Sequence, residues 1–407
     1  MNQKGEIIVG LDVGTTKVSV LVGEHKDDGH IEIIGLGSHP SKGMKSGVIT
    51  EIEATVETIR KAVMEAELMA GVQISNVYVG ISGSHILGFN SHGMAAVKGK
   101  EILRADVDRT TEQAKAVVIP ADRQVLHTLV QEFIVDNQDG IRMPVGMSGV
   151  RLEAKVHIVT GSISAVSNMI RCCNKAGLSV ADIVIEPMAS ALAALSDDEK
   201  ELGVALADIG GGTVDLVIYL KGSVVHTSVL PMGGDFITQD IAVGLHTPMQ
   251  AAERAKREFG CAVAGMVEKN ESIPVSKVGS GDPKEVSRQA LCDIIEARVE
   301  EILNAVHKEI RKTNLEERLG AGLVLTGGTA NLLYISQFAE ELMGLPVRVG
   351  APSGVTGLVD IVRDPAYATG VGLLMYAAQH GPSLQGGGRP MLRKAMDRLR
   401  LWFQDFV

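Results

Sequence analysis

Two short turns in this sequence carry the residue types from which an anion site could be built. EIIVGLDVGTTKVSVLVGE (Glu6–Glu24) and GVALADIGGGTVDLVIYLKG (Gly203–Gly222) share one plan. Each has an apolar run, an Asp, an aliphatic residue, a Gly and two small residues, then an alternating β-branched run. Asp12 aligns with Asp208, Gly14 with Gly210, Lys17 with Thr213 and Val18 with Val214. The flanking runs, IIVGL and VSVLV in one copy, VALA and VDLVIYL in the other, read as strands, so each copy is expected to be a β-hairpin. Alone, DVGTT could be a plain hairpin turn. In Gly210, Gly211 and Gly212, however, three successive residues without a Cβ let backbone N–H groups approach and cradle anionic oxygens. A third turn, LTGGTANL (Leu325–Leu332), places Gly327 and Gly328 after a strand and is expected to open a helix. The three together, in this order, are a specific signal.

The same detail excludes two other phosphate sites. A GxGxxG dinucleotide turn or a GxxxxGK[ST] loop needs its glycines to open a helix. Here a β-branched strand follows each of the first two turns, and no GxxxxGK[ST] occurs. Two hairpins about two hundred residues apart imply two similar lobes, each giving one phosphate-facing turn. Other chemistries find no support. The 11 histidines show no HExxH, and Ser162 and Ser164 lack a GxSxG context. Cys172, Cys173, Cys261 and Cys292 form no CxxC pair and read as reduced, buried thiols.

The remaining segments fit around the hairpins. Ile49–Gly71 reads as an amphipathic helix capped by Thr50 and stopped at Gly71. From about Gly83 to Val159 the pattern is short and irregular, as an inserted subdomain would be. Glu186–Leu195 is a Pro-initiated, alanine-rich helix, Glu285–Thr313 a long helical region, and AYATGVGLLMYAAQ a small-residue helix. With 45% hydrophobic residues, 3% aromatic residues and 46 glycines, the 407-residue chain suits an α/β protein of two or three domains. Its net charge of −10 argues against nucleic-acid binding by the body. The N-terminus lacks the pattern of a signal peptide, and no apolar run approaches the ~18 residues of a membrane span.

After Gln379 the character changes. HGPSLQGGGRP is a flexible linker, and RPMLRKAMDRLRLWFQDFV holds the only Trp and two of the seven Phe. On a helical wheel Leu392, Met396, Leu399, Trp402, Phe403 and Phe406 share one side with Ala395. Arg393, Lys394 and Arg400 lie toward the other, and with Arg389 and Arg398 they make five basic residues against two aspartates. Such a helix fits a membrane interface, and the GGG linker argues against docking on the body.

The order DVGTTK, EPMASALAAL, DIGGGTVD, LTGGTANL, AYATGVG resembles the actin-like ATPase superfamily over nearly the whole globular chain. The resemblance implies a two-lobed, actin-like (ribonuclease H-like) α/β ATPase fold, with an inserted subdomain and the C-terminal amphipathic helix. It implies ATP and Mg²⁺ as cofactors. Gly14, Thr15, Thr16 and Lys17 would form the first phosphate loop, and Gly210, Gly211, Gly212 and Thr213 the second; Gly327 and Gly328 would contact the nucleotide. Asp12 and Asp208 would hold Mg²⁺ mostly through water. Glu186 stands where related ATPases orient the attacking water, and in AAERAKREFG Glu253 and Lys256 would flank the adenosine.

Within the superfamily, KGKEILRADVDRTTEQAKAV, VLHTLVQEFIVD and MPVGMSGVRLEAKVHIVTGS resemble the inserted 1C subdomain of the FtsA family, the bacterial cell-division actin homologues. QKGEIIVGLDVGTTKV and GMKSGVITEIEAT match the same family. This implies a polymerising protein on the cytoplasmic face of the bacterial inner membrane. It would anchor the C-terminal tail of FtsZ, self-associate, bind anionic lipid through its own tail and meet other divisome proteins through subdomain 1C. Nucleotide would act as a conformational ligand, with slow hydrolysis at most. The implied divisions are 1–82, 160–200 and 356–380 (1A), 83–159 (1C), 201–230 and 300–355 (2A), 231–299 (2B), linker 381–389 and membrane helix 390–407. Arg288 and Arg298 are the expected contacts for the FtsZ peptide. The rivals are a pilus-biogenesis assembly protein and a small-molecule kinase of the same fold.

Overall fold

The computed structural model describes residues 5–278 and 283–380. The two hairpins become the centres of two sheets with one plan. In the first the strand order is Ser179–Ile185, Asn76–Ile81, Glu6–Val13, Lys17–His25, Ile31–Pro40, Val355–Gly357. In the second it is Val347–Val349, Leu323–Thr326, Val204–Ile209, Val214–Leu220, Ser223–Leu230. Each central strand pairs antiparallel with its hairpin partner and parallel with the strand on its other side. Even the turns agree: the N–H of Gly14 donates to the Lys17 carbonyl at 3.0 Å, and that of Gly210 to the Thr213 carbonyl at 2.9 Å. The repeat legible in the sequence is therefore a duplicated lobe.

Helices cover the sheets through very close contacts. Ile52–Ala70 buries Val56, Ile59, Ala62, Val63 and Ala66 at helical spacing and ends at Gly71 in the left-handed region. Its cap is Glu51, not the expected Thr50, whose N–H instead donates to the Gly43 carbonyl at 2.8 Å. On the other face of the first sheet, Glu186–Ala194 crosses Ala368–His380. A Cβ on Gly372 would lie 1.7 Å from the Ala189 carbonyl oxygen, so this crossing requires glycine. It also brings Ser190 and Thr369 within 2.9 Å of each other.

Two further boundaries differ from expectation. The long helix is Arg288–Lys312; Pro283–Ser287 before it is a strand paired with Ser272–Ser276. The turn after Leu323–Thr326 makes a single 3₁₀ turn, Gly328–Asn331, and the α-helix waits until Ile335. The four cysteines are buried and free, as expected.

The stretch expected to be irregular is a four-stranded antiparallel sheet, Leu87–Ala96, Arg151–Ser162, Arg123–Val135, Gln138–Ile141, with the helix Arg104–Lys115 against it. Register shifts at Lys155/Val156 and Val159/Thr160 break the alternation that would have marked its strands. This insert touches both lobes. Toward the first, the Ile185 N–H at the end of its strand donates to His127 Nε2 of the insert at 3.3 Å. Toward the second, the Asn90 and Gln131 amides donate to the Val225 and Val224 carbonyls at 3.1 and 3.0 Å. His157 sits between Asn90 Oδ1 and Thr227 Oγ1, 2.8 Å from each, and burial lowers its pKa to about 4, so the ring is neutral.

Among the described residues no helix is long and apolar enough to cross a membrane. The amphipathic segment with Leu392, Met396, Trp402 and its neighbours lies outside the described residues.

Gly372→Ala gains a little helix propensity but forces two backbones apart. Overpacking of this kind costs about 1–3 kcal/mol, so urea titration should show a lower unfolding midpoint with an unchanged slope.

Candidate functional site

The duplicated hairpins point their turns at each other across the space between the lobes. A Cβ on Gly211 would sit 1.7 Å from Thr16 Oγ1, and one on Gly212 would sit 2.6 Å from Thr15 Oγ1. The second turn must therefore be glycine where the first has threonines, because the two are in contact. Thr16 Oγ1 also donates to Asp235 Oδ1 at 3.1 Å, and the N–H groups of Gly234 and Asp235 donate to the Gly210 and Gly211 carbonyls at 2.9 and 2.8 Å. The third turn closes on the second. Gly327 has φ +84 with Asp208 Oδ1 2.3 Å from a would-be Cβ, and Thr329 Oγ1 donates to the Gly210 carbonyl at 3.2 Å. Gly328 leaves room, its would-be Cβ meeting only Ala366 at 3.7 Å.

Behind the turns lies an excess of buried negative charge. Asp12 is the next-to-last residue of its strand, opposite Ser19, whose hydroxyl donates to it at 3.3 Å. Burial lifts its pKa to about 6, Lys17 pulling it down and Asp208 pushing it up. Asp208 accepts from Ser190 at 2.5 Å and Thr369 at 3.1 Å, and burial still raises its pKa against those bonds. Asp215, paired with Asp208 across the hairpin, accepts from Ser82 at 2.6 Å. Burial lifts it to about 7, opposed by Ser82 and reinforced by Asp208. Glu186, at the start of its helix, is pushed well above the usual carboxyl range by burial, then by Asp12, Asp215 and Asp208.

The sequence did not single out Asp215, Ser82, Ser190 or Thr369. Asp215 was within reach: hairpin register puts it where the other copy has Ser19. The three hydroxyls gave no local signal, because their partners are far away in the chain.

Four carboxyls that burial, and for three of them the charge of neighbouring aspartates, drives toward protonation form a site that favours a cation. Among the described residues no three His, Cys, Asp or Glu could hold a metal ion directly. Mg²⁺ keeps several waters and uses few protein carboxylates, so this donor set fits it. Lys17 reaches the same region. Its Nζ donates to the Ala366 carbonyl at 2.6 Å and lies 3.7 Å from the centre of the Tyr367 ring. Burial lowers its pKa while Asp12, Asp364 and Asp208 raise it.

Glu253 and Lys256 stand one turn apart on Met249–Phe259 and are paired at 2.6 Å. Lys256 also donates to the Gly234 carbonyl at 3.0 Å and Thr238 Oγ1 at 2.8 Å, fixing this helix to the helix Gly234–Gly244. Glu253 lines an open cavity of about 530 Å³ with Gln250, Arg254, Arg257 and Glu258. Arg288 is the first residue of the long helix and Arg298 lies within it, over the Phe236 ring. Arg288 is paired with Glu271 at 2.8 Å, and Arg298 with Asp240 at 2.5 Å.

Family models describe residues 205–372 as "Cell division protein FtsA" and 83–160 as "SHS2 domain inserted in FTSA"; one for the type IV pilus assembly protein PilM matches 142–263. A cell division protein FtsA of Pseudomonas aeruginosa is 48% identical over 99% of this chain and 98% of its own length. One from Neisseria meningitidis is 46% identical over the full length of both. The chain belongs to the FtsA family. It is a cell division protein with an actin-like α/β fold. FtsA of Bacillus subtilis is 40% identical over 92% of this chain and 84% of its own. The fold extends to more distant proteins. A PilM–PilN type IV pilus complex matches with TM-score 0.65 at 15% identity, covering 91% of this chain and 98% of that one. MreB5 of Spiroplasma citri bound to ADP matches with TM-score 0.56 at 15% identity, covering 94% and 99%.

The raised carboxyl pKa values have a consequence for stability. The folded chain keeps protons that the unfolded chain releases near pH 4, so these groups favour folding most at low pH. Their contribution falls as pH rises through about 6 for Asp12 and about 7 for Asp215. In nucleotide-free protein, Asp215→Asn should flatten the decline between pH 5 and 8 by at least about 1 kcal/mol, read from urea titrations at each pH.

Proposed function

We propose that the chain binds ATP with Mg²⁺ between its lobes, assembles with itself, and tethers the C-terminal tail of FtsZ to the cytoplasmic face of the bacterial inner membrane. The observation that carries the nucleotide reading is the meeting of Gly211 and Gly212 with Thr15 and Thr16 directly in front of buried Asp12 and Asp208. The Gly14 and Gly210 N–H groups close their turns, and those of Thr15, Thr16, Gly211, Gly212 and Thr213 would take phosphate oxygens. Lys17 would add the point charge that amides lack. Asp12 and Asp208 would hold Mg²⁺ mostly through its waters, and the ion when bound neutralises charge on the phosphates. Glu186 would orient a water, and its burial beside three aspartates favours its taking up a proton. Glu253, Lys256, Gly327 and Gly328 would border the nucleoside.

Segments 83–159 and 231–299 serve as subdomains 1C and 2B, for other divisome proteins and for FtsZ respectively. At Arg288 or Arg298 an acidic FtsZ peptide would have to replace Glu271 or Asp240, so binding there is an exchange of ion pairs. The tail supplies the membrane contact. Burying four or five of its large side chains contributes about 5 kcal/mol, and each basic residue adds about 1 kcal/mol at best near anionic lipid. Ordering the helix offsets part of this. One tail then binds reversibly, and a filament of many tails binds firmly through effective concentration.

Lys17→Ala should weaken ATP about tenfold or more, the loss of a charge-assisted contact worth about 1.5–3 kcal/mol; equal affinity by fluorescent-analogue titration would remove Lys17 from the site. Removing residues 390–407 should abolish co-sedimentation with anionic vesicles. Per-subunit retention should also rise steeply on polymerisation, and identical retention of monomer and polymer would sink the coupling.

A further inference from the structure

A lysine on a flexible four-carbon stem makes a poor fixed charge unless something holds it. Lys17 begins the second strand of the first lobe, and the charge acting most strongly on it is Asp12. Left to that attraction, the ammonium would fold back onto the carboxylate and have little to offer an incoming phosphate. It does not do so here. It donates to the Ala366 carbonyl at 2.6 Å and lies over the Tyr367 ring at 3.7 Å, two partners with no net charge. An ammonium has three donors, so this arrangement leaves at least one of them uncommitted.

The segment that supplies these partners is itself held by the other lobe. Asp364 Oδ1 accepts from the Ala366 N–H and from Asn331 Nδ2, both at 2.8 Å. The Pro365 carbonyl accepts from the Gly327 N–H at 3.2 Å and the Thr326 hydroxyl at 3.4 Å. Asn331, Gly327 and Thr326 belong to the third glycine turn, in the second lobe. The first lobe's lysine is thus placed by a segment keyed to the second.

We propose that Tyr367, with the Ala366 carbonyl, is a positioning residue for Lys17, holding its ammonium off Asp12 and available to the terminal phosphates of a nucleoside triphosphate. This rests on the nucleotide reading of the cleft. Tyr367→Leu removes the ring and Tyr367→Phe keeps it. Tyr367→Leu should weaken ATP about fivefold and leave AMP, which lacks the terminal phosphates, unchanged; Tyr367→Phe should stay within about twofold of the parent for both. In nucleotide-free protein the Lys17 Cε and Hε resonances should be shifted upfield by the ring in the parent and in Tyr367→Phe, and return to ordinary values in Tyr367→Leu.

Loss of ATP and AMP affinity in equal proportion, no loss of either, or Tyr367→Phe behaving like Tyr367→Leu would each overturn the assignment. If Tyr367→Leu does not fold, an unshifted Lys17 resonance in the parent overturns it, and a shifted one with normal ATP binding in Tyr367→Phe upholds it. Failure of the parent chain to bind ATP would instead sink the nucleotide reading, and the resonances would still decide whether Tyr367 holds Lys17.

Discussion

The buried charge between the lobes is the constraint around which the structure is arranged. Asp12, Asp208, Asp215 and Glu186 are brought together by the two lobes, and each of the three aspartates raises the pKa of at least one other carboxyl. Removing carboxylates from water without matching cations is costly, and proteins relieve it by protonation, hydrogen bonds or a bound ion. For the three aspartates the chain uses the second remedy. Hydroxyls of Ser19, Ser82, Ser190 and Thr369 each donate to one of these carboxyls. Three of the four hydroxyls come from segments remote in sequence from the carboxyl they serve, so the charge also fixes how those segments assemble.

Close backbone approach answers the same need. Glycine at 211 and 212 lets the turns meet, glycine at 327 lets the third turn approach Asp208, and glycine at 372 lets the helix that carries Thr369 sink onto the one that carries Ser190. Each position is small for a steric reason that can be stated in ångströms. Together they explain a chain rich in glycine and poor in aromatics, since its site is made by bringing backbones together rather than by filling a pocket with rings.

Much of this was legible in the sequence because it was repeated there. The two hairpins declared the duplicated lobes, and their aligned Asp and Gly residues declared the cleft. What stayed hidden was non-local. Nothing beside Ser190 or Thr369 announces Asp208, and nothing beside Tyr367 announces Lys17, some 350 residues earlier by the contact that joins them. The insert was misread for a different reason: two register shifts hide its strands from a search for alternation. Thr50 was chosen as a cap by residue type, whereas its N–H is needed by the Gly43 carbonyl. Arg288 and Arg298 looked free as single residues and are paired only once Glu271 and Asp240 are folded beside them.

The seam between the insert and the second lobe bears on solubility. Ser223–Leu230 is the outermost strand of its sheet, and such an edge is an open template on which another chain can add a strand. Here the Val224 and Val225 carbonyls are occupied by the side-chain amides of Gln131 and Asn90, with His157 fitted against Thr227 alongside. Amide side chains satisfy the edge without extending the sheet. An edge closed in this way no longer offers its carbonyls to a strand from a second copy.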